Sequence, residues 1–205
     1  MTQARFPYRD PEPERGGLSS NGDGITPWLE QRLFDRHVVM LVGQLTSTVA
    51  SNVAAALLTL DALSTETIQL HVASPEGDLA AAFAIVDAID AMRAPVHAVV
   101  PSMAGGAALL VLAAADRRIA YRHARIRLTE PHATAASGTA DQVAAAAGEY
   151  LRELEELIVR MAEVTGQPRS RIETDLAAGR FLSAAEAQDY GLVNEIIGKP
   201  RGDAA

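Results

Sequence analysis

The stretch from Val96 to Asp116 reads Val-His-Ala-Val-Val-Pro-Ser-Met-Ala-Gly-Gly-Ala-Ala-Leu-Leu-Val-Leu-Ala-Ala-Ala-Asp, and it decides the fold class. A β-branched run ends at Pro101, the glycines Gly105 and Gly106 follow, and an apolar run comes after them. This order predicts a buried strand, a tight turn and a buried helix. In α/β hydrolytic folds such a turn lifts a nucleophile off the sheet and presents backbone N–H groups to an oxyanion. Neither glycine has a nucleophilic atom, so the stretch predicts a site without its reactive group.

The composition predicts one globular, helix-rich α/β domain. The chain has 205 residues, of which 48% are hydrophobic and only 4% aromatic, and its many alanines favour helices and close packing. The net charge of −8 argues against a nucleic-acid partner. Because the chain has no cysteine, disulfides and thiolate metal sites are excluded, which suits a reducing compartment. No apolar run reaches the roughly 18 residues of a membrane span and no apolar signal core is present, so we expect a cytoplasmic location and no membrane partner.

Strand and helix patterns alternate in the first half of the chain. In order, the predicted strands and the helices between them are Val38–Val42, 46–63, Ile68–Ala73, 79–92 and Val96–Val100. The alternation predicts parallel strands with right-handed crossovers and a site at their carboxyl ends. Turns containing Gly77 and Gly106 follow two of these ends. Residues 1–24 are predicted to be a flexible tail, residues 25–198 the α/β domain, and residues 199–205 a second tail.

One long helix dominates the second half. Residues 140–165 carry apolar side chains at spacings of three and four, and Gly166 ends the pattern. At about 1.5 Å per residue, this helix is longer than a domain of this size can cover. We therefore expect part of its apolar stripe to pack on another subunit. The remaining predicted elements are a helix over 28–35, strands over 118–121, 125–128 and 192–197, a loop or an irregular edge strand over 131–139, and helices over 170–176 and 183–189, the last with a Ser183–Glu186 capping box.

Four stretches make the chain resemble the proteolytic subunit of the Clp protease, ClpP. They are Gln31-Arg32-Leu33-Phe34-Asp35-Arg36, Ser74-Pro75-Glu76-Gly77, the apolar strand, turn and helix around Gly106, and the long segment from Arg180-Phe181-Leu182-Ser183 to Gly191-Leu192-Val193. The resemblance implies a crotonase-like stack of ββα units with a protruding handle helix. It also implies that handle helices interdigitate between two seven-membered rings, which enclose a chamber fed by hexameric ATPases.

The same resemblance implies a Ser–His–Asp triad, in which serine attacks, histidine carries the proton and aspartate orients the imidazole. Carried over by position, the serine falls on Gly106, the histidine on Thr129 and the aspartate on Gly179. All three functional groups are therefore missing. We expect a catalytically inactive paralogue, comparable to the ClpR-type subunits of photosynthetic lineages.

Nearby side chains offer poor substitutes for the triad. Ser102 precedes its position by four residues, His132 lies three residues late and Asp175 four residues early. Each shift moves the group by several ångströms, whereas proton transfer needs about 2.6–3.2 Å between heavy atoms. The alternative interpretation is a turn-bonded Ser102, a loop residue His132 and a solvated helix residue Asp175.

The oxyanion-binding backbone is the part that the resemblance implies could survive. Its donors correspond to the N–H groups of Gly77 and Ala107, although Glu76 and Asp78 place carboxylates beside them. The competing interpretation of Gly77 is a turn glycine that requires a positive φ. The histidines show no metal-ligand spacing and no glycine motif fits a nucleotide phosphate, so we expect neither metal nor cofactor.

Three functions follow, in order of preference. The first is a ClpP-like ring subunit without peptidase activity, assembled with itself or with active ClpP subunits in heptameric or tetradecameric rings that a Clp ATPase could engage. The second is an active ClpP-type serine endopeptidase with Ser102 as a displaced nucleophile. The third is a crotonase-like protein whose backbone donors bind an acyl thioester.

Overall fold

The computed structural model describes residues 27–132 and 138–198. The two predicted tails, residues 1–24 and 199–205, and part of the predicted 131–139 loop lie outside the described residues. The described helices are α1 (Pro27–Phe34), α2 (Ser47–Leu63), α3 (Leu79–Ala91), α4 (Ala108–Ala114), α5 (Ala140–Thr165), α6 (Arg169–Ala178) and α7 (Ala184–Asp189). The described strands are β1 (Val38–Val42), β2 (Ile68–Ala73), β3 (Val96–Val100), β4 (Met103–Gly105), β5 (Arg117–Tyr121), β6 (Arg125–Leu128), β7 (Arg180–Ser183) and β8 (Glu195–Ile197).

The strands form two sheets. The larger has five strands in the order β1-β2-β3-β5-β8, and every neighbouring pair in it is parallel. The smaller has the order β4-β6-β7, in which β4 and β6 are parallel and β6 and β7 antiparallel. The predicted α/β class and the parallel arrangement of the first three strands are confirmed. Two short strands were not predicted: β4 falls in the stretch interpreted as the glycine turn, and β7 leads directly into the capping box of α7.

The predicted buried helix after the glycine turn is confirmed as α4. Its residues from Ala108 to Ala113 are all buried, and the helix packs on α3 and α5. Its uniformly apolar sequence makes this possible, since no position in it carries a polar side chain that burial would penalise. The turn before α4 is therefore held between a buried helix and a buried strand, which gives it a rigid position.

The predicted caps are also confirmed. The Thr46 hydroxyl accepts a hydrogen bond from the Val49 N–H at 3.3 Å, and Ser183 and Glu186 form a reciprocal capping box. The last strand starts at Glu195 rather than at residue 192. Leu192 and Val193 are buried, but their N–H groups both donate to the Ala187 carbonyl, so they form a turn after α7 instead of extending β8.

The long helix α5 has the predicted bounds, and Gly166 ends it in the left-handed conformation with φ +68°. Its carboxyl-terminal half is covered, with Leu157, Ile158 and Met161 buried. Earlier positions of the same stripe are open, since Val143 is 42% and Leu151 63% exposed. Within the described residues, the first half of α5 thus presents apolar side chains that this chain does not cover. No helix of the described ranges is long and apolar enough to cross a membrane.

Candidate functional site

Three chain segments enclose a cavity of about 120 Å³ at the ends of β2, β4 and β6. It is lined by Glu76 and Gly77 after β2, by Gly106 after β4, and by Arg127, Thr129, Glu130, Pro131 and His132 from β6 onward. Two of the three positions assigned to the triad, Gly106 and Thr129, therefore lie on one cavity together with Gly77. The alternation of strands and helices predicted a site at the carboxyl ends of the strands, and the structure brings the Gly77 and Gly106 turns to one cavity.

Close packing explains the glycine at position 77. A Cβ there would lie 2.4 Å from the Leu45 Cβ and 2.8 Å from the Leu45 carbonyl oxygen. Leu45 and Gly77 also form an isolated parallel bridge, in which the Leu45 N–H donates to the Glu76 carbonyl and the Asp78 N–H to the Leu45 carbonyl. Gly77 does not have a positive φ, so that interpretation is wrong. The glycine is needed because the backbone of another segment passes against it.

Gly106 has room for a side chain. Its φ is +54°, and a Cβ would meet the Glu76 Cα at 3.6 Å and the Gly77 nitrogen at 3.8 Å, which are ordinary contacts. A hydroxymethyl group at position 106 would therefore point towards the backbone of the Glu76-Gly77 turn. Gly105 is different, since a Cβ there would lie 2.9 Å from the Pro75 carbonyl oxygen.

Arg127 links the cavity to Gly179, the third position assigned to the triad. Gly179 follows α6 with φ +65°, and a Cβ on it would lie 3.6 Å from Nη2 and 3.8 Å from Nε of Arg127. The Arg127 guanidinium also lies over the Phe181 ring, 5.3 Å from its centroid. Its Nε is buried without a hydrogen-bond partner among the described residues. The Arg127 guanidinium therefore lies beside Gly179, the position at which the resemblance implies a carboxylate.

Sequence reasoning missed Arg127. One signal was available, because the alternation Arg125-Ile126-Arg127-Leu128 buries Ile126 and Leu128 and places both arginines on the other face, in line with Thr129. The approach of Gly179 to that face had no sequence signal, since it depends on the packing of the α6 end against β6.

His132 lines the cavity at its rim. Its Nε2 lies 3.7 Å from the Glu76 Oε2, and both side chains are largely exposed. Tyr150 of α5 fixes the adjacent chain by donating its hydroxyl to the Pro131 carbonyl at 2.8 Å. Burial, and then the charges of Glu130 and Glu153, raise the pKa of Tyr150, so this donor keeps its proton well above neutral pH. The long helix is thus directly bonded to the loop that bounds the cavity.

Asp175 serves a structural network instead of the cavity. Its side chain is only 13% exposed, and its oxygens accept hydrogen bonds from the Arg180 Nη1 at 3.2 Å and the Tyr190 hydroxyl at 3.0 Å. The prediction of a solvated helix residue is wrong, because Arg180 of β7 and Tyr190 after α7 close over it. Burial, and then the Asp175 hydrogen bond, raise the pKa of Tyr190 to about 12.

Ser102 lies in the link between β3 and β4. It is exposed, its carbonyl accepts a hydrogen bond from the Arg125 N–H at 2.7 Å, and it is not among the cavity-lining residues. The structure thus brings only His132, of the three substitutes, to the cavity. Across the described ranges, no group of three or more His, Cys, Asp or Glu side chains is placed to hold a metal ion.

A family model described as Clp protease matches residues 25–200. The ATP-dependent Clp protease proteolytic subunit 2 of Prochlorococcus marinus (strain MIT 9313) is 33% identical over 184 residues, which cover 87% of this chain and 92% of that protein. The ATP-dependent Clp protease proteolytic subunit 3 of Rhizobium etli (strain ATCC 51251 / DSM 11541 / JCM 21823 / NBRC 15573 / CFN 42) is 32% identical over 170 residues, covering 82% of this chain and 87% of that protein.

The chain belongs to the Clp protease family. Its α/β architecture is the ClpP/crotonase-like fold of that family, as the sequence resemblance implied. The chain is accordingly a ClpP-like subunit of a Clp protease. At the positions that the resemblance assigned to the triad, this chain has Gly106, Thr129 and Gly179, and the Arg127 guanidinium lies beside the last of them.

Proposed function

We propose that this Clp protease family member fills places in a ring without cleaving peptides itself, as a structural or regulatory subunit. The observation that carries the proposal is the cavity beside Gly77, where Gly106 and Thr129 stand at two triad positions and Arg127 lies against Gly179, the third. Gly106 and Gly179 have no side chain to act as the nucleophile or the carboxylate, and the Thr129 hydroxyl cannot carry a proton as an imidazole does, so each triad position lacks the group that the mechanism needs there.

Backbone donors alone do not restore the activity. Gly77 lines the cavity and Ala107 precedes α4 directly, so their N–H groups are the remaining candidates for an oxyanion site. Glu76 lines the same cavity and Asp78 adjoins it in sequence, and their carboxylates oppose a developing negative charge. In a serine protease, loss of the triad costs on the order of 10⁶ in turnover.

Assembly is the function that the surface supports. The open apolar stripe of α5, which includes Val143 and Leu151, offers an interface for a second subunit. We propose that this stripe packs between two rings, composed of this chain alone or of this chain and active ClpP subunits. An apolar groove of about 330 Å³, between α1, β1 and α2, offers a separate surface for docking of a Clp ATPase. The assembly would act in the cytoplasm.

Peptidase assays on the purified protein test the proposal. Casein and a fluorogenic peptide are the substrates, an active homologue is the positive control, and labelling by a fluorophosphonate probe reports any activated serine. We expect neither cleavage nor labelling. Robust cleavage that disappears in Ser102→Ala would overturn the proposal in favour of the displaced-nucleophile endopeptidase. Native mass measurement of the tagged protein, copurified from its own cell, reports whether and with which subunits it assembles.

A further inference from the structure

The apolar groove between α1, β1 and α2 lies along an edge of the larger sheet. β1 is the first strand in the order β1-β2-β3-β5-β8, so within the described residues no strand pairs with its outer edge. Parallel pairing uses alternate residues of a strand, and the His37 carbonyl, one residue before β1, accepts the Gln69 N–H of β2 at 2.8 Å. The N–H and C=O groups of Val38, Met40 and Val42 therefore point away from β2, towards the outer edge.

The groove is apolar and large enough for side chains. Its volume is about 330 Å³, and Leu33, Met40, Val49 and Val53 are among the residues that line it. Ligand pockets span roughly 300–1,000 Å³, so this groove fits a few side chains of an extended segment and not the surface of a folded partner. An open strand edge beside such a groove is a template for an added strand, because the main chain supplies hydrogen bonds and alternate side chains fill the groove.

The sequence before α1 contains a segment with the pattern of such a strand. Arg5-Phe6-Pro7-Tyr8-Arg9, called here the tail segment, alternates charged and aromatic residues about a proline, which is the period of two of a half-buried strand. With Phe6 and Tyr8 turned towards β1, the missing N–H of Pro7 falls on the outer edge, where a strand tolerates proline. The two arginines also complement the charge of Glu30, which lines the groove.

The connection to α1 is long enough for the tail segment to reach the groove of its own chain. Residues 10–26 separate the two, 17 residues that include four glycines, and a flexible chain of this length spans about 20–25 Å on average. The helix α1 itself is only about 12 Å long, and Leu33 and Phe34 at its end line the groove. A short tether of this kind gives an effective concentration in the millimolar range, which favours the chain's own segment over a separate partner.

We propose that the tail segment docks in the groove of its own chain as an added strand on the outer edge of β1, with Phe6 and Tyr8 filling the groove. The inference goes beyond the proposed function and does not depend on whether the chain cleaves peptides. Its consequence is regulatory, because the docked segment covers the surface proposed above for a Clp ATPase. A protein that docks there has to displace the tail segment first.

Hydrogen exchange of the full chain, followed by mass spectrometry, tests the docking at β1. Phe6→Ser/Tyr8→Ser removes both aromatic side chains, and Leu18→Ser is the matched control, since it removes an apolar side chain between the tail segment and α1. We expect the β1 amides to exchange about tenfold faster in the double variant, the change expected where the effective concentration is about ten times the dissociation constant. Leu18→Ser should leave the exchange of β1 unchanged, and the central strand β3 is the internal reference in all three proteins.

A distance measurement identifies the occupant directly. The chain has no cysteine, so Arg9→Cys/Asn52→Cys carries nitroxide labels only at the end of the tail segment and on α2, where Asn52 is exposed and lines the groove. Double electron–electron resonance should give one narrow distance distribution for this pair. The distribution should become broad when Phe6→Ser/Tyr8→Ser is added. Dilution with an excess of unlabelled chain should leave the narrow distance in place, because both labels belong to one chain.

Each outcome has a definite consequence. Equal exchange of β1 in the original protein and the double variant overturns the inference, and so does a broad distance distribution that the double variant leaves unchanged. A narrow distance that disappears on dilution means that the tail segment of a second copy occupies the groove, which overturns docking within one chain. None of these results bears on the proposed function, since the peptidase assays test that separately.

Discussion

Replacing Gly179 by aspartate tests the electrostatics of the cavity without any ligand. The position is 3.6 Å from the Arg127 Nη2 and 3.8 Å from its Nε, measured from an ideal Cβ. A carboxylate one bond farther along the side chain lies within hydrogen-bond reach of the guanidinium. The substitution would therefore supply the partner that the buried Nε lacks.

Two opposing contributions set the expected change in the free energy of unfolding. A buried donor left without a partner costs about 1–3 kcal/mol, which the new carboxylate recovers in part. Gly179 has φ +65°, and a left-handed conformation costs a side chain roughly 1–2 kcal/mol, least for Asp and Asn. Gly179→Ala has only the backbone cost. We therefore expect Gly179→Asp to be more stable than Gly179→Ala by about 1–3 kcal/mol, and close to or above the original protein.

Thermal and urea unfolding of the three proteins measure the difference. For a chain of this size, about 1 kcal/mol corresponds to a shift of roughly 2–4 °C in Tm. Gly179→Asn is the uncharged control, since it tolerates the same φ. A double-mutant cycle with Arg127→Met isolates the interaction between the two positions. If Gly179→Asp were no more stable than Gly179→Ala, or if the gain persisted in the Arg127→Met background, the guanidinium would not be the unsatisfied group that the geometry indicates.

Three further predictions concern the turn, the α6 network and the long helix. Gly77→Ala should destabilise the domain by at least about 1–3 kcal/mol through overpacking, because its Cβ would lie 2.4 Å from the Leu45 Cβ. The control variant Gly148→Ala, in the middle of a helix, should raise Tm. Equal Tm changes in the two variants would contradict the close approach of Leu45 to Gly77. Raising the pH from about 10 to 12 should lower the stability of the fold, because the pKa of Tyr190 is raised to about 12 in the folded chain and the unfolded chain therefore loses this proton first. Denaturant unfolding should show a smaller loss in Tyr190→Phe, in which the raised pKa of Tyr150 still contributes. The same alkaline slope in both proteins would refute the assignment. Leu151→Glu places a charge on the open stripe of α5, where Leu151 is 63% exposed. Native mass measurement should therefore show smaller assemblies, while circular dichroism shows an unchanged fold. Assemblies of unchanged size would exclude this stripe from the interface.

Local pattern was sufficient for most of the elements. The first three strands are short runs rich in β-branched and aliphatic residues, and the structure has them at the predicted bounds, Val38–Val42, Ile68–Ala73 and Val96–Val100. The long helix and its end at Gly166 could also be predicted, because helical periodicity over 26 residues and a C-terminal glycine are both properties of neighbouring residues. The resemblance to the ClpP family rested on contiguous motifs for the same reason.

Contacts between distant segments decided the rest. That Gly77 must be a glycine follows from Leu45, 32 residues earlier, and the burial of Asp175 follows from Arg180 and Tyr190 closing over it. The unpaired Arg127 beside Gly179 depends on where the end of α6 meets β6. Local order along a chain specifies helices, strands and caps through short-range hydrogen bonds and periodic burial. The distance between two side chains from different elements is set only when those elements pack together. In this chain, that packing placed the Arg127 guanidinium beside Gly179, which has no side chain.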